Sequence, residues 1–405
     1  MSVKYLFIDM NSYFASVEQQ LRPNLRGVPV AVAAVDAETT SCIAASYEAK
    51  RFGVRTGTRV SEARRLCPGI QIVSARPRLY VEKHNEIIAA VESVLPVAHV
   101  LSIDEMVCRL LGDHLRLECA VKVGGRIKHA ICERAGEWLR CSIGLAPNRL
   151  LAKVAADMQK PDGLTVLRRE DLPNKLMELK LTDFPGIGPK MEKRLNAAGV
   201  TTTRQLLGMS PGQLAEIWGS NLVGGMWYHR LRGEDVPDTP TQRRSIGHSR
   251  VLEPTARNEA DARAILVRLI HKAAARLRHV GQFAGSVHLS VSYLGREKWK
   301  AMHRIDPCQD TLTLIRAIMP LWARRAAGAP LKIGIVLADL VGEQNVPRPL
   351  FEVDHRLLEL AKAMDAANRR CGRHAVYFGG MHGKGDSLST RIAFGTVPDL
   401  DLTDC

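Results

Sequence analysis

The 405-residue sequence contains no apolar run of the ~18 residues that a membrane-spanning helix needs, so no membrane-embedded role is expected. Its opening stretch, MSVKYLFIDM, lacks the long apolar core and small-residue cleavage site of a secretory signal. It reads instead as a buried strand, in a cytoplasmic protein. The nine cysteines include no Cys-x-x-Cys pair, and their odd number argues against a disulfide framework. Most have apolar neighbours, as in Arg140-Cys141-Ser142-Ile143, and are expected to be core thiols in a reducing compartment rather than zinc ligands. No internal repeat and no low-complexity tract is present. Acidic residues are in deficit, 42 against 57 Lys and Arg, for a formal net charge of +15. That imbalance points to an acidic partner, nucleic acid first and an anionic membrane surface second.

What is present suits a soluble, multi-domain protein: 46% hydrophobic and 24% charged residues, over a length that suggests two to four domains. Residues 3–8 form an apolar run ending in Asp9, which predicts a buried strand. Asn11 or Ser12 can cap a following helix. Further strands are expected over 29–34 and 139–145, and helices over 87–95 and 114–138. Residues 97–103 read as a strand running straight into Asp104 and Glu105, with 106–111 continuing extended. Strands and helices thus interleave over 1–165. Helical periodicity broken by Gly and Pro dominates 170–233, and 234–245, polar with two prolines, reads as a linker. Beyond it, Ala262 to Leu277 keeps helical spacing, Val287 to Tyr293 alternates as a half-buried strand, and 354–370 predicts one more helix.

Asp9 ends one predicted strand, and Asp104 and Glu105 end another. Neighbouring strands lie about 5 Å apart, so the three carboxylates can converge. Converging acids stay ionised only beside a compensating cation, and hard oxygen donors select Mg²⁺ or Mn²⁺. Spacing alone leaves open whether they do this or are solvated turn residues.

The words around the acids carry more. Phe7 to Glu18 (FIDMNSYFASVE) and Ser102-Ile103-Asp104-Glu105 resemble the two active-site motifs of Y-family translesion DNA polymerases. The resemblance continues, in family order, through Ser46 to Val54, Ser142 to Asn148, Lys153 to Gly163, Phe184 to Gly188 and Arg244 to His248, and spans roughly residues 1–342. It implies an α+β, multi-domain right-hand polymerase. A ferredoxin-like palm would span 1–10 and 75–165 and small fingers 11–74. A helical helix-hairpin-helix thumb would span 166–233 and an α+β little finger 246–342, followed by a tail over 343–405. It implies low-fidelity translesion synthesis by two-metal nucleotidyl transfer. Asp9, Asp104 and Glu105, with the Met10 carbonyl, would hold two Mg²⁺ ions, Mn²⁺ also being suitable. Asn11 stands where the family often has a second Asp.

An incoming deoxynucleoside triphosphate brings about four negative charges. Tyr47, Lys50 and Arg51 share a face of a short predicted helix. By the resemblance Tyr47, Lys50 and Lys160 would contact phosphates, with Lys50 standing where the family usually has Arg. Phe14, beside Tyr13, would be the steric gate that excludes a ribose 2′-hydroxyl. For the primer-template, Pro185-Gly186-Ile187-Gly188 followed by Lys190 and Lys193 reads as a hairpin whose backbone amides receive a phosphate. Such contacts carry no sequence preference. Residues 243–345 hold 17 basic and eight acidic residues. There Lys298, Lys300 and Arg304 alternate with Trp299, Ala301 and Ile305, which puts bases on one strand face and apolar residues on the other. Leu350-Phe351 resembles the end of a sliding-clamp-binding peptide, although the expected Gln is missing from its usual place. Residues 354–378 resemble the tail of UmuC-like relatives. The expected partners are therefore primer-template DNA, deoxynucleotides and a sliding clamp, with the chain a monomer.

Two other readings use the same residues. One is a non-catalytic DNA- and clamp-binding mutagenesis adaptor, although such relatives lose the acids. The other is a metal-dependent nuclease. If phosphate contacts dominate, primer-template affinity will fall roughly a thousandfold or more between about 50 and 200 mM salt. A flat salt response in a binding titration refutes the basic-surface reading.

Overall fold

The first apolar run becomes a strand buried on both faces. Leu6, Phe7, Ile8 and Met10 of β1 (Tyr5–Met10) are all inaccessible to solvent, as in a strand covered on each side. The structure, a computed structural model, describes residues 3–238, 244–346, 352–372 and 375–379. These fall into two compact units, one on each side of residues 239–243. The division lies inside the polar, proline-containing stretch 234–245.

In the first unit the chain continues through α1 (Tyr13–Leu21), β2 (Val30–Ala33), β3 (Cys42–Ala45), α2 (Tyr47–Arg51), α3 (Val60–Leu66) and β4 (Gln71–Ser74). Next come α4 (Pro77–Glu92), β5 (Val97–Val100), β6 (Glu105–Arg109), α5 (Leu117–Ala135), β7 (Cys141–Ala146), α6 (Arg149–Met158) and β8 (Leu164–Val166). Helices α7 (Pro189–Ala197), α8 (Thr203–Gly208), α9 (Pro211–Trp218) and α10 (Asn221–Leu231) complete it. Five strands form one mixed sheet in the order β5-β6-β1-β7-β8, with β1 antiparallel to both neighbours and β7 parallel to β8. A separate small sheet has the order β3-β2-β4. The core of α7–α10, around Phe184, Ile187, Leu195, Leu206 and Leu214, is continuous with Leu151 and Val154 of α6.

Residues 97–111 depart from the expected single extended course. The chain turns back, so that β5 and β6 are antiparallel neighbours. The Leu101 and Ser102 amides both donate to the Glu105 carbonyl, at 2.9 and 3.2 Å. No glycine or proline marks this turn. Ser102 forms it instead, its hydroxyl donating to Asp104 Oδ1 at 2.6 Å. Helix α4 begins ten residues before the periodicity at 87 suggests, with Pro77 in its first turn, where a missing amide costs nothing. Tyr80, Val81 and His84 are buried along it, hidden in the sequence among Glu82, Lys83 and Asn85.

Helix α6 lies directly on β7. A Cβ on Gly144 would sit 2.0 Å from the Ala152 carbonyl oxygen and 2.4 Å from the Ala156 nitrogen. Only glycine permits that approach. The Asn148 side chain caps α6 by accepting from the Leu151 amide at 2.9 Å. Its own NH₂ donates to the Arg230 and Glu234 carbonyls, at 2.8 and 3.0 Å.

The second unit contains β9 (Ser245–Val251), α11 (Glu259–His279), β10 (Gln282–Tyr293), β11 (Trp299–Cys308), α12 (Thr311–Ala323), β12 (Pro330–Gly342) and α13 (Glu352–Cys371). Its antiparallel sheet has the order β11-β10-β12-β9. Leu266, Ile270, Leu314 and Ile318 of α11 and α12 pack on the inward residues Val287, Leu289, Ile333 and Ile335. Helix α13, which matches the helix expected over 354–370, is tied to α11 by Arg278 and Asp365, two charge-assisted bonds of 2.6 and 2.8 Å.

No helix among the described residues is long and apolar enough to cross a membrane. Cys42, Cys67, Cys108 and Cys141 are buried and free, as core thiols should be, whereas Cys132 and Cys371 are exposed. Burial pushes the Cys108 and Cys141 thiols up to about 12, which makes them inert. Gly144→Ala will cost on the order of 3 kcal/mol or prevent folding, because the clash is with backbone. Wild-type stability of this variant in urea denaturation contradicts the close approach.

Candidate active site

Pairing of β1 with β6 sets Asp9 directly across from Glu105. The Met10 amide donates to the Asp104 carbonyl at 2.8 Å, which brings the hairpin turn alongside. Two distant sequence words therefore meet at one sheet end. Two ammonium groups stand among them. Lys153 of α6 pairs with Asp9, with Glu105 Oε1 at 2.8 Å and with Asp157 Oδ1 at 3.1 Å. Lys160 pairs with Asp9 Oδ1 at 2.6 Å and Asp157 Oδ1 at 2.8 Å. Lys153 and Asp157 lie in the Lys153 to Gly163 stretch but receive no role from the sequence, where a Lys and an Asp four apart on a helix look like a solvated pair.

Burial raises the Asp104 carboxyl above the usual range, and Asp9 adds to the shift; the Ser102 hydroxyl and Lys153 oppose it. Burial likewise raises Glu105, against the pull of Lys153. Burial works to lower Lys153, but Asp9, Asp157 and Glu105 hold it well above its ordinary value. Among the described residues no three acidic, His or Cys side chains close on a single point as a finished metal cage. Asp104 is turned to Ser102, and the lysines hold Asp9 and Glu105. The donor set nonetheless fits a divalent ion: it is all oxygen, it gathers cations, and it contains no soft ligand.

Lys50 of α2 lies beside the acids. Lys50 Nζ receives the Ser12 hydroxyl region as its partner, donating to Oγ at 2.7 Å, and lies 4.3 Å from the Tyr47 ring centre. Burial lowers the Lys50 ammonium, and neighbouring Lys160 lowers it further. Burial, with Asp9 nearby, pushes Tyr47 up to about 12. Arg51 is exposed and takes no part in these contacts. Lys160 sits on a turn held by Asn11, whose Oδ1 accepts from the Asp162 amide at 2.7 Å and whose Nδ2 donates to Ser142 Oγ at 3.1 Å. Asn11 thus acts as a structural pin for this turn. Phe14 stacks on Tyr80, with centroids 4.4 Å apart and planes inclined by 16°. Tyr13 is buried beside Phe14, with ring centroids 5.7 Å apart, and its hydroxyl donates to the Tyr80 carbonyl at 2.6 Å.

The DNA-contact candidates are exposed. Gly186 has φ +98°, a left-handed conformation that favours glycine, and Gly188 precedes α7. Lys190 projects from the first turn of α7 into solvent. On β11, Lys300 and Arg304 are exposed and lie across from Ser290 and Ser286, while Trp299, Ala301 and Ile305 pack on the core. Lys298 is exposed just before that strand. Leu350 and Phe351 lie outside the described residues.

Residues 8–157 match the impB/mucB/samB family, 243–350 its C-terminal domain, and 169–200 the IMS family HHH motif. The DNA polymerase IV of Moorella thermoacetica is 34% identical over 92% of this chain and 94% of its own length. The chain belongs to the impB/mucB/samB family of DinB-like Y-family DNA polymerases. A second relative, the DNA polymerase IV of Pelotomaculum thermopropionicum, is 32% identical over 92% of this chain and 93% of its own. Among solved structures, a Y-family DNA polymerase chimera, Dbh-Dpo4(243-245)-Dbh, superposes with a TM-score of 0.69 at 23% identity, over 84% of this chain and all of its own. An insertion ternary complex of Dbh DNA polymerase gives 0.55 at 24% identity over the same shares. These two likenesses concern the fold of the family member described here.

Lys153→Met will leave Asp9, Glu105 and Asp157 with less compensating charge. The metal-free protein will lose about 3 kcal/mol, and millimolar Mg²⁺ will restore part of the loss. Equal melting temperatures for wild type and variant in a chelator refute this charge balance.

Proposed function

We propose that this chain is a template-directed DNA polymerase of the translesion type. It joins a primer 3′-hydroxyl to the α-phosphate of a deoxynucleoside triphosphate and releases pyrophosphate. The observation that supports this best is the meeting of Asp9, Asp104 and Glu105 at one sheet end, with Tyr47, Lys50 and Lys160 beside them.

Asp9, Asp104, Glu105 and the Met10 carbonyl would hold two Mg²⁺ ions. Bound there, the ions supply Lewis acidity to the attacking hydroxyl and charge neutralisation to the leaving group. Lys50 and Lys160 attract the triphosphate as point charges, without the two-pronged geometry of an arginine. The turn pinned by Asn11 fixes where Lys160 is presented. Phe14 is a nearly buried apolar wall beside the sugar position, so a 2′-hydroxyl is excluded by shape. The glycine hairpin before α7 and the basic face of β11 grip duplex phosphates and leave sequence selection to base pairing. Clamp binding through Leu350-Phe351 belongs to this reading as a further partner, and the polymerase acts as a monomer. A non-catalytic adaptor has no use for three acids gathered in this way.

Elongation of a labelled primer with Mg²⁺, abolished by Asp104→Ala, is the expected result; shortening of the primer indicates a nuclease. Extension past an abasic site tests the translesion role. Phe14→Ala will raise ribonucleotide insertion roughly 10- to 100-fold relative to deoxynucleotide. Unchanged sugar selectivity removes Phe14 from the gate.

A further inference from the structure

Glu18 is a carboxylate with no exposed side-chain surface, and nothing in the reaction above uses it. It lies one helical turn after Phe14 on α1, so the two share a helix face. Its Oε1 accepts from the Tyr80 hydroxyl at 2.7 Å and from Arg76 Nε at 3.0 Å, while Oε2 accepts from Arg76 Nη2. The bond to Glu18 raises the Arg76 guanidinium above its ordinary value. Tyr80, itself fully buried, carries its ring against the back of Phe14. Its backbone is held as well, by the Tyr13 hydroxyl.

An uncompensated buried carboxylate is costly, and an apolar side chain of similar size often fills such a space equally well. What an apolar residue cannot do is fix the far end of the Tyr80 ring. The gate depends on that ring. An apolar wall rejects one extra hydroxyl only while it does not yield, and a retreat of about 1 Å would admit the oxygen.

We propose that buried Glu18, paired with the partly exposed Arg76, is a positioning element that sets sugar selectivity, by pinning Tyr80 behind Phe14. This rests on the reading of Phe14 as the gate. Phe14 supplies the contact surface, Tyr80 the backing, and Glu18 the anchor. Arg76, at the entry to α4, holds the anchor in its orientation.

The test compares Glu18→Gln, Tyr80→Phe and Phe14→Ala in single-nucleotide insertion, with a ribonucleotide and its deoxy counterpart opposite the same template base. Tyr80→Phe keeps the stacked ring and removes only the hydroxyl, so it stands even if Glu18→Gln fails to fold. Both anchor variants are expected to raise the ribo-to-deoxy ratio of kcat/KM about 3- to 10-fold, chiefly through a lower ribonucleotide KM, with deoxynucleotide kcat changed by less than about threefold. A merely structural role would lower both nucleotides together and leave the ratio alone. A wild-type ratio in either folded variant, when Phe14→Ala raises it, overturns the proposal. A wild-type ratio in Phe14→Ala overturns the gate itself, and absence of any elongation by the unmodified protein overturns the polymerase reading.

Discussion

Mutual repulsion of three carboxylates is the constraint around which the first unit is arranged. Asp9, Asp104 and Glu105 come together because β1 pairs with β6 and the hairpin turn folds against the strand end. Like charges brought to one sheet end are tolerable only with positive charge among them. The fold supplies it from a third place, the helix α6, which can come close enough because β7 has glycine at position 144. Sheet pairing, the missing Cβ and the Lys153 ammonium are therefore parts of one electrostatic solution. The same arrangement explains how the acids can coexist at one sheet end.

Two further interactions of ammonium groups belong to the same balance. Lys160 is shared between Asp9 and Asp157, and Lys50 is partly desolvated between the Ser12 hydroxyl and the Tyr47 ring. Both are cations whose present partners a polyanion could replace. The apolar face of α1 is of a different kind. There, Phe14 and Tyr80 form a stacked pair whose rigidity comes from buried polar groups behind them, so apolar shape and ionic anchoring act in series.

Much of this was legible in the residues. A strand buried on both faces is a continuous apolar run, and a charge at its end stands out; β1 and β7 could be read for that reason. The alternation of Lys300 and Arg304 with Trp299 and Ile305 was visible because one face of that sheet meets solvent. The missed features share a different cause. Residues 101–104 turn by means of a serine side chain, which leaves no glycine or proline signal. Tyr13 looks like a second ring for the same space as Phe14, and only the fold shows its hydroxyl tied to the Tyr80 backbone. Lys153, Asp157 and Glu18 look like ordinary polar positions of amphipathic helices, and only tertiary packing reveals what they face. Asn11 likewise shows its use only once residues 142 and 162 are brought to it.

Asn148 binds the beginning of α6 to the carbonyls of Arg230 and Glu234, where the helical part of the first unit ends. The helix that delivers Lys153 to the acids is thus tethered at its other extremity to the segment leading out of that unit. Displacing the end of α10 would therefore be felt along α6, through this amide and through the apolar core that Leu231 shares with Leu151 and Val154.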